Sequence, residues 1–346
     1  MKVYGVGYGS MMYGVGYGFA RPDYGAAEIE IAADGSITIW SGCSELGQGL
    51  ITILSQIASQ ELCIPYEKIR VYNSDTALTP DSGPVSASRS TLVQGAAIVD
   101  ACNGIKEIMF EISSEILNTP KEQLLLNNEK IYNPSNPATA VSIEKIANQM
   151  HLRGMKTRFQ GWYSNMTDDV DSETSQGDAF RQYAWASQAA TVEVDLETGK
   201  VKVLSIASAT DAGKAVNPLL VEGQIEGGAI QGLGYALMED MKVIEGKFVN
   251  SSLSNYLIPT SADAPEIIPL IVEIPDPNSP YGVKGVGEPA MIPTAPAILN
   301  AINDAIRKRV TNLPASPEQI LTVLGKIHGK KNDEVLTMDM VPYPDF

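Results

Sequence analysis

Twice along this chain, two alternating segments close on a tight turn and lead into an apolar helical pattern. Residues 27–32 and 36–41 alternate apolar and polar side chains across Ala33-Asp34-Gly35, which predicts a β-hairpin. A helix is predicted over 50–62, where Ile51, Leu54, Ile57, Ala58 and Leu62 recur at helical spacing. The order returns with strands at 185–195 and 200–209, joined by Leu196-Glu197-Thr198-Gly199, ahead of a helix opening at Pro218. Hairpins followed by helices predict an α+β fold, and 346 residues suffice for two lobes. The expected division is 1–140 for a first lobe, 141–180 for a linker and 181–346 for a second lobe.

Composition narrows the function classes. Hydrophobic residues at 44% and charged residues at 19% describe a globular chain, and a net charge of -16 argues against nucleic acid, whose phosphates need clustered Lys and Arg. No run of 18 apolar residues is present to span a membrane, and the N-terminus lacks the charged and apolar regions of a signal peptide. Cys43, Cys63 and Cys102 are odd in number and widely spaced, which fits a reducing cytoplasm and no iron–sulfur or zinc site. His151 and His328 fall outside every motif, against a histidine triad or metal site.

The candidate for chemistry is Tyr281-Gly-Val-Lys-Gly-Val-Gly-Glu-Pro289. Gly282, Gly285 and Gly287 allow a close backbone approach, and Pro289 stiffens the mount of Glu288 just ahead of an apolar helix over 295–306. In a dry pocket, desolvation would raise a glutamate pKa from ~4.3 towards neutrality, as a general base requires. A glycine-rich turn carrying a surface acid is the alternative.

Other stretches carry the same double reading. Gly47-Gln48-Gly49 stands at a helix start, where unpaired N–H groups could cradle an oxo group or phosphate, although many helix starts look alike. Ser86, Ser88 and Ser90 precede a helix over 91–117 and suit either phosphate binding or ordinary capping. Residues 4–18 hold Tyr-Gly-Val-Gly-Tyr-Gly twice, a duplicated strand or loop, or else a substrate pocket lined by Tyr13 or Tyr17, whose side chains supply a stacking face and a hydroxyl donor. Gly223, Gly227, Gly228, Gly232 and Gly234 share one helical pattern at about 0.8–1 kcal/mol each relative to alanine. That cost calls for close packing or a bound ligand.

The phrase Lys284-Gly-Val-Gly-Glu-Pro289 resembles the catalytic-glutamate segment of the molybdenum hydroxylases, the xanthine dehydrogenase and aldehyde oxidase family. Three further segments match that family in order: Gly42-Cys-Ser-Glu-Leu-Gly-Gln-Gly49, Asp81-Ser-Gly-Pro-Val-Ser-Ala-Ser-Arg-Ser-Thr91 and Asn217-Pro-Leu-Leu-Val-Glu-Gly-Gln-Ile-Glu-Gly-Gly-Ala-Ile-Gln-Gly232. The likeness runs from about residue 5 to 330 and implies mixed sheets packed with helices, as in the C-terminal half of the family's molybdopterin-binding region. It implies Glu288 as catalytic base and Tyr13 and Tyr17 beside the substrate. It places Leu46, Gly47, Gln48, Val85, Ser86, Ala87, Ser88, Ser90, Gln224 and Gly287 on the cofactor, with Gln224 towards the metal's oxygen ligand and Glu226 in a structural hydrogen bond. Arg89 receives no role.

The implied cofactor is molybdenum held through molybdopterin, in its cytosine dinucleotide form, with a terminal sulfido or selenido ligand and no direct protein ligand to the metal. The family's preceding lobe has no room in this chain, so the resemblance implies an obligate second molybdopterin subunit, with iron–sulfur and FAD subunits completing the electron path. In size and motif order the chain resembles the medium molybdopterin subunit of nicotinate dehydrogenases. The implied reaction is hydroxylation of a small N-heteroaromatic substrate, nicotinate to 6-hydroxynicotinate, with water as oxygen source. Xanthine or purine hydroxylation, aldehyde or carbon monoxide oxidation, and a non-catalytic scaffold are the alternatives. A scaffold would need none of Glu288, Gln48 and Gln224. Residues 118–181 read as connector and surface around a short helix at 141–150. The last predicted helix, 317–327, has Ser316 as N-cap and Gln319 completing a capping box.

Overall fold

A computed structural model of the chain describes residues 1–327. His328 and the polar tail from Gly329, expected to pack on a partner or fray, lie outside the described residues.

Strand β1 (Lys2–Val15) precedes the first hairpin, β2 (Tyr24–Ile31) and β3 (Ile37–Ser41), whose register runs from Ala27↔Ser41 to Ile31↔Ile37. Helix α1 (Leu50–Leu62) carries the chain to β4 (Ile69–Asn73), parallel to β3, and α2 (Ser90–Leu117) follows. A meander of β5 (Leu125–Asn127), β6 (Lys130–Asn133) and β7 (Asn136–Ser142) leads into α3 (Ile143–Leu152) and β8 (Arg158–Ser164), antiparallel to β2. The second hairpin is β9 (Gln182–Asp195) with β10 (Val201–Asp211), followed by α4 (Pro218–Leu237). A two-stranded arm of β11 (Val243–Ile244) and β12 (Lys247–Phe248), then β13 (Glu266–Val272), α5 (Thr294–Ile306) and α6 (Pro317–Leu324), complete the described chain.

Two mixed sheets each bury one face under helices, the α+β arrangement expected. In the β4-β3-β2-β8 sheet, Ile29, Ile31, Ile37 and Ile39 pack with Leu54 and Ile57 of α1 and Ile98 and Ile105 of α2. In the β1-β9-β10-β13 sheet, Val192, Val194, Val203 and Ile206 pack with Leu233 of α4 and Ile298 and Ile302 of α5. Pairing across sequence redraws the expected lobe boundaries. Strand β1, placed in the 1–140 lobe, is antiparallel to β9 and belongs to the second sheet. Helix α3 and strand β8, placed in the linker, belong to the first core and first sheet. Residues 118–181 thus hold regular structure that short alternating runs hid.

The glycines of the first Tyr-Gly repeat have a packing cause. Strand alternation turns Tyr4, Val6 and Tyr8 outward and Gly5, Gly7 and Gly9 towards α5. A Cβ on Gly7 would fall inside the backbone of Ala297 and Ala301, so helix and sheet meet at main-chain distance. Val6 N–H donates to Asp304 Oδ2 at 3.1 Å and Asn300 Nδ2 donates to the Tyr8 carbonyl at 2.8 Å, so α5 also serves the open edge of β1. Gly7→Val should therefore destabilise the chain by at least about 3 kcal/mol in urea unfolding, the upper end of overpacking costs.

Candidate active site

Loop 82–90 leads into α2 with Ala87 and Ser88 at φ 53° and 52°. Arg89 holds this unusual turn from inside. Its guanidinium is fully buried, pairs through Nε with Asp23, and donates to the carbonyls of Pro84 at 2.8 Å, Ser82 at 3.2 Å and Tyr24. The other Asp23 oxygen accepts from Tyr17 N–H at 3.1 Å and Asn165 Nδ2 at 3.0 Å. One buried ion pair thus ties the serine loop to the ends of β1 and β8. Arg89 went unassigned in the sequence because a lone arginine in a polar loop carries no periodic signal of burial.

The Glu288 loop is seated against Ser88. Glu288 N–H donates to Ser88 Oγ at 3.0 Å, and a Cβ on Gly285 would fall inside the Ser88 backbone. Gly282 has φ 78°, which a side chain rarely adopts. Buried amides grip the loop from below: Gln182 Nε2 donates to the Val283 carbonyl at 2.9 Å and Gln188 Nε2 to that of Ala290 at 2.8 Å. Lys284 pairs with Asp211 at 2.7 Å in a nearly buried contact. Tyr281 donates to Glu61 of α1, which also pairs with Lys106 of α2. The Glu288 carbonyl accepts from Met291 N at 2.9 Å and Ile292 N at 3.1 Å, so the mount of the carboxylate is a turn leading to α5.

These loops bound a cleft of about 570 Å³. Leu46, Gly47, Gln48, Val85, Ser86, Ser88, Ser90, Gln224, Gly287 and Glu288 all line it, from four separate stretches of sequence. Ala87 lies outside the lining, where its carbonyl accepts from Gly16 N at 2.9 Å. That bond forms where the second Tyr-Gly repeat leaves β1, with Gly16 at φ 83°. Tyr17 shares a hydrogen bond with Ser86, and its ring lies 5.4 Å from the Arg89 guanidinium. Burial first, then the neighbouring Glu288 carboxylate, push the Tyr13 hydroxyl far above the ordinary tyrosine range. Thr91, Gln231, Val286 and Met291 also line the cleft. Of these, Thr91, Gln231 and Val286 lie inside the quoted motifs and Met291 just beyond one. A larger cavity of about 910 Å³, beside Cys63, Asn128 and Lys214, takes in none of the expected cofactor residues.

The family model described as the molybdopterin cofactor-binding domain matches residues 1–265. This chain belongs to that molybdenum hydroxylase family. Its molybdopterin-binding fold is 33% identical over 322 residues to a probable xanthine dehydrogenase subunit of Bacillus subtilis, covering 93% of this chain and 42% of that one. It is 31% identical to the 6-hydroxypseudooxynicotine dehydrogenase complex subunit gamma of Paenarthrobacter nicotinovorans, covering 92% of this chain and 39% of that one. The crystal structure of quinoline 2-oxidoreductase from Pseudomonas putida 86 superposes with a TM-score of 0.82 at 26% identity, covering 94% of this chain and 42% of that one. The chain therefore spans about two fifths of the length of these relatives.

The cleft fits a molybdopterin. Ser86, Ser88, Ser90, Gln224 and Gln231 line it, no Lys or Arg is among its described lining residues, and Gly47 at φ 109° leaves open space where a Cβ would stand. Such uncharged donors suit pterin and phosphate oxygens. The described residues gather no group of three His, Cys, Asp or Glu that could ligate a metal directly.

Two expectations need correction, the free N–H groups at the start of α1 and the structural hydrogen bond of Glu226. The N–H groups at the start of α1 are not free for a ligand, because Glu45 accepts from Gly47 at 2.8 Å, Gly49 at 2.9 Å and Ile51 at 3.1 Å. Gln48 folds back onto its own loop, donating to the Ser44 carbonyl at 2.9 Å and accepting from Leu46 N–H at 2.5 Å. Close packing explains Gly228 against Ala290, Gly232 against Thr294 and Gly234 against Pro259, whereas Gly223 and Gly227 face open space. Glu226 is exposed and makes no hydrogen bond among the described residues, so the structural hydrogen bond expected of it is not formed there.

Partial burial works to raise the Glu45 pKa, but the N–H bonds from Ile51, Gly49 and Gly47 outweigh it and hold the carboxyl below its ordinary value. A depressed folded-state pKa gives stability that is present above the unfolded value of ~4.3 and lost as pH falls through the folded one. Glu45→Ala should cost roughly 1 kcal/mol at neutral pH, as for a lost cap, and the gap in Tm to wild type should close on acidification below that value. Arg89→Met should cost about 3–5 kcal/mol in urea unfolding by leaving Asp23 buried and unpaired, with part recovered when Asp23→Asn is added.

Proposed function

We propose that this chain is the molybdopterin-binding catalytic part of a multi-subunit hydroxylase acting on a small N-heteroaromatic substrate, with nicotinate favoured. The observation that carries the reading is the convergence of Glu288, Ser88, Gln224 and the loop of Gln48 on one cleft in a chain of this family. When bound, the cofactor supplies the oxidising centre and an oxygen derived from water. Glu288 would serve as the general base, its carboxylate lining the cleft where it could accept a proton during hydroxylation of a ring carbon beside nitrogen. The Ser88 contact and the buried amides below the loop hold the backbone that carries the carboxylate, which lowers the entropic cost of positioning it for proton transfer. Tyr13 and Tyr17 form the aromatic side of the substrate position, and Tyr13, protonated at neutral pH, can donate to Glu288 or to a substrate heteroatom. Ser86, Ser88, Ser90 and Val85 on one side, and the loop of Leu46, Gly47 and Gln48 with Gln224 and Gly287 on the other, would hold the pterin, Gln48 exchanging its bonds within its own loop for bonds to the cofactor. A cytosine dinucleotide form and a sulfido or selenido ligand belong to the same reading.

Glu288 is half-buried in this chain, so water exclusion needs a second wall. A second molybdopterin subunit supplies that wall, and iron–sulfur and FAD subunits accept the electrons, in a cytoplasmic complex. No helix among the described residues is long and apolar enough to cross a membrane. Quinoline 2-oxidoreductase, named for oxidation at a ring carbon beside nitrogen, supports the substrate class. Hydroxylation of xanthine is the second reading, favoured by the name of the Bacillus subtilis relative. Turnover of nicotinate, xanthine and an aldehyde by the purified complex separates these substrates.

Glu288→Gln should keep molybdenum content and assembly while kcat falls by roughly 10²–10⁴, the usual contribution of a positioned base. Near-normal turnover in that variant would remove Glu288 from the chemistry.

A further inference from the structure

Residues 241–266 hold no buried side chain, and neither hydrophobic core includes any residue of 238–266. The stretch is nevertheless rich in Met241, Val243, Ile244, Phe248, Val249, Leu253, Leu257 and Ile258, all large, apolar and exposed, with Phe248 at 62% and Leu253 at 74%. This is not the composition of a segment made to stay in solvent, which is poor in such residues. It is also held in shape. Its base is tied by Tyr256 donating to Glu239 at 2.6 Å and by Asn250 donating to the Asp240 carbonyl at 2.6 Å. Strands β11 and β12 pair through Val243↔Phe248. Ordering a segment costs conformational entropy that burial normally offsets, and here the described chain leaves all eight of these apolar side chains exposed.

The geometry points to a docking arm: residues 241–258 seat the polypeptide equivalent to the part of the relatives that this chain does not span. The fold occupies only 42% of the Bacillus subtilis relative and 42% of the quinoline 2-oxidoreductase chain, so a body larger than this chain adjoins the same fold in both. An arm of 18 residues would supply most of the roughly 20–30 residues a side of a stable interface. Charge disfavours a second copy. Glu239, Asp240, Glu245, Asp263 and Glu266 outnumber Lys242 and Lys247, and each copy carries -16, so two arms would repel. The occupant presents an apolar seat for Phe248 and Leu253 with Lys or Arg at its rim.

The occupant rests on the split-subunit reading above, and one experiment separates the two. The native complex is purified through a tag on this chain carrying Phe248→Asp with Leu253→Asp, beside wild type and a Leu152→Asp control. Leu152 is equally exposed, at 73%, but lies at the end of α3. Recovery of the polypeptide that matches the remaining length of the relatives should fall at least ten-fold in the double variant only. In the wild-type complex, Lys242 and Lys247 should cross-link to that polypeptide. Full recovery in the double variant, or cross-links from the arm only to a second copy of this chain, would overturn the docking arm. Molybdenum in the wild-type complex reads the functional proposal separately: a metal-free complex that still depends on Phe248 and Leu253 defeats the cofactor reading and leaves the arm standing.

Discussion

At Ser88 the backbone of one loop reaches the backbone of another, and the rest of the cleft depends on that contact. Gly285 has no Cβ because Ser88 occupies its place, and Glu288 is oriented by its own N–H bond to the Ser88 hydroxyl. The two loops belong to different sheets and lie some two hundred residues apart in sequence. The contact holds only if both lobes are built and set correctly against one another. The ties from Tyr281 to Glu61 and from Asn217 to Gln56 are further polar struts between them.

Both loops are held by buried polar groups, an expensive way to build. A buried ion pair is weak support for net stability, because desolvation offsets much of its attraction. Its geometry, however, tolerates few alternatives. Arg89 reaches three carbonyls as well as Asp23, and removing either partner leaves a charge without solvent. Lys284 with Asp211, and the amides of Gln182 and Gln188, impose the same exactness on the Glu288 loop. Leucines in these places would fill space and leave the loops several conformations.

Much of the fold was legible because helices and hairpins have local periods. The hairpin over Asp34-Gly35, helix α1 and the start of α4 at Pro218 lie where spacing and turn residues predict them. The placement of β1 was not legible: its alternation says strand, but nothing in Tyr-Gly-Val-Gly names β9 as its neighbour. The cleft divides the same way. Glu288, Ser88 and Gln224 stand out through ordered motifs, whereas Arg89 and Glu45 act through contacts that no motif announces. The helix-start reading of Gly47 to Gly49 failed because a glutamate a few residues upstream already satisfies those N–H groups.

Taken alone, the amino-acid order determined which segments are helix or strand, which residues are chemically equipped, and the family to which the motifs belong. Those properties are local, set by side-chain period, turn chemistry and short motif spacing. Only the tertiary structure decided that β1 joins the second sheet, that an unassigned arginine carries the serine loop, and that an apolar arm is left uncovered. Each of these depends on which distant surfaces exclude water from one another, and that is a property of the packed chain as a whole.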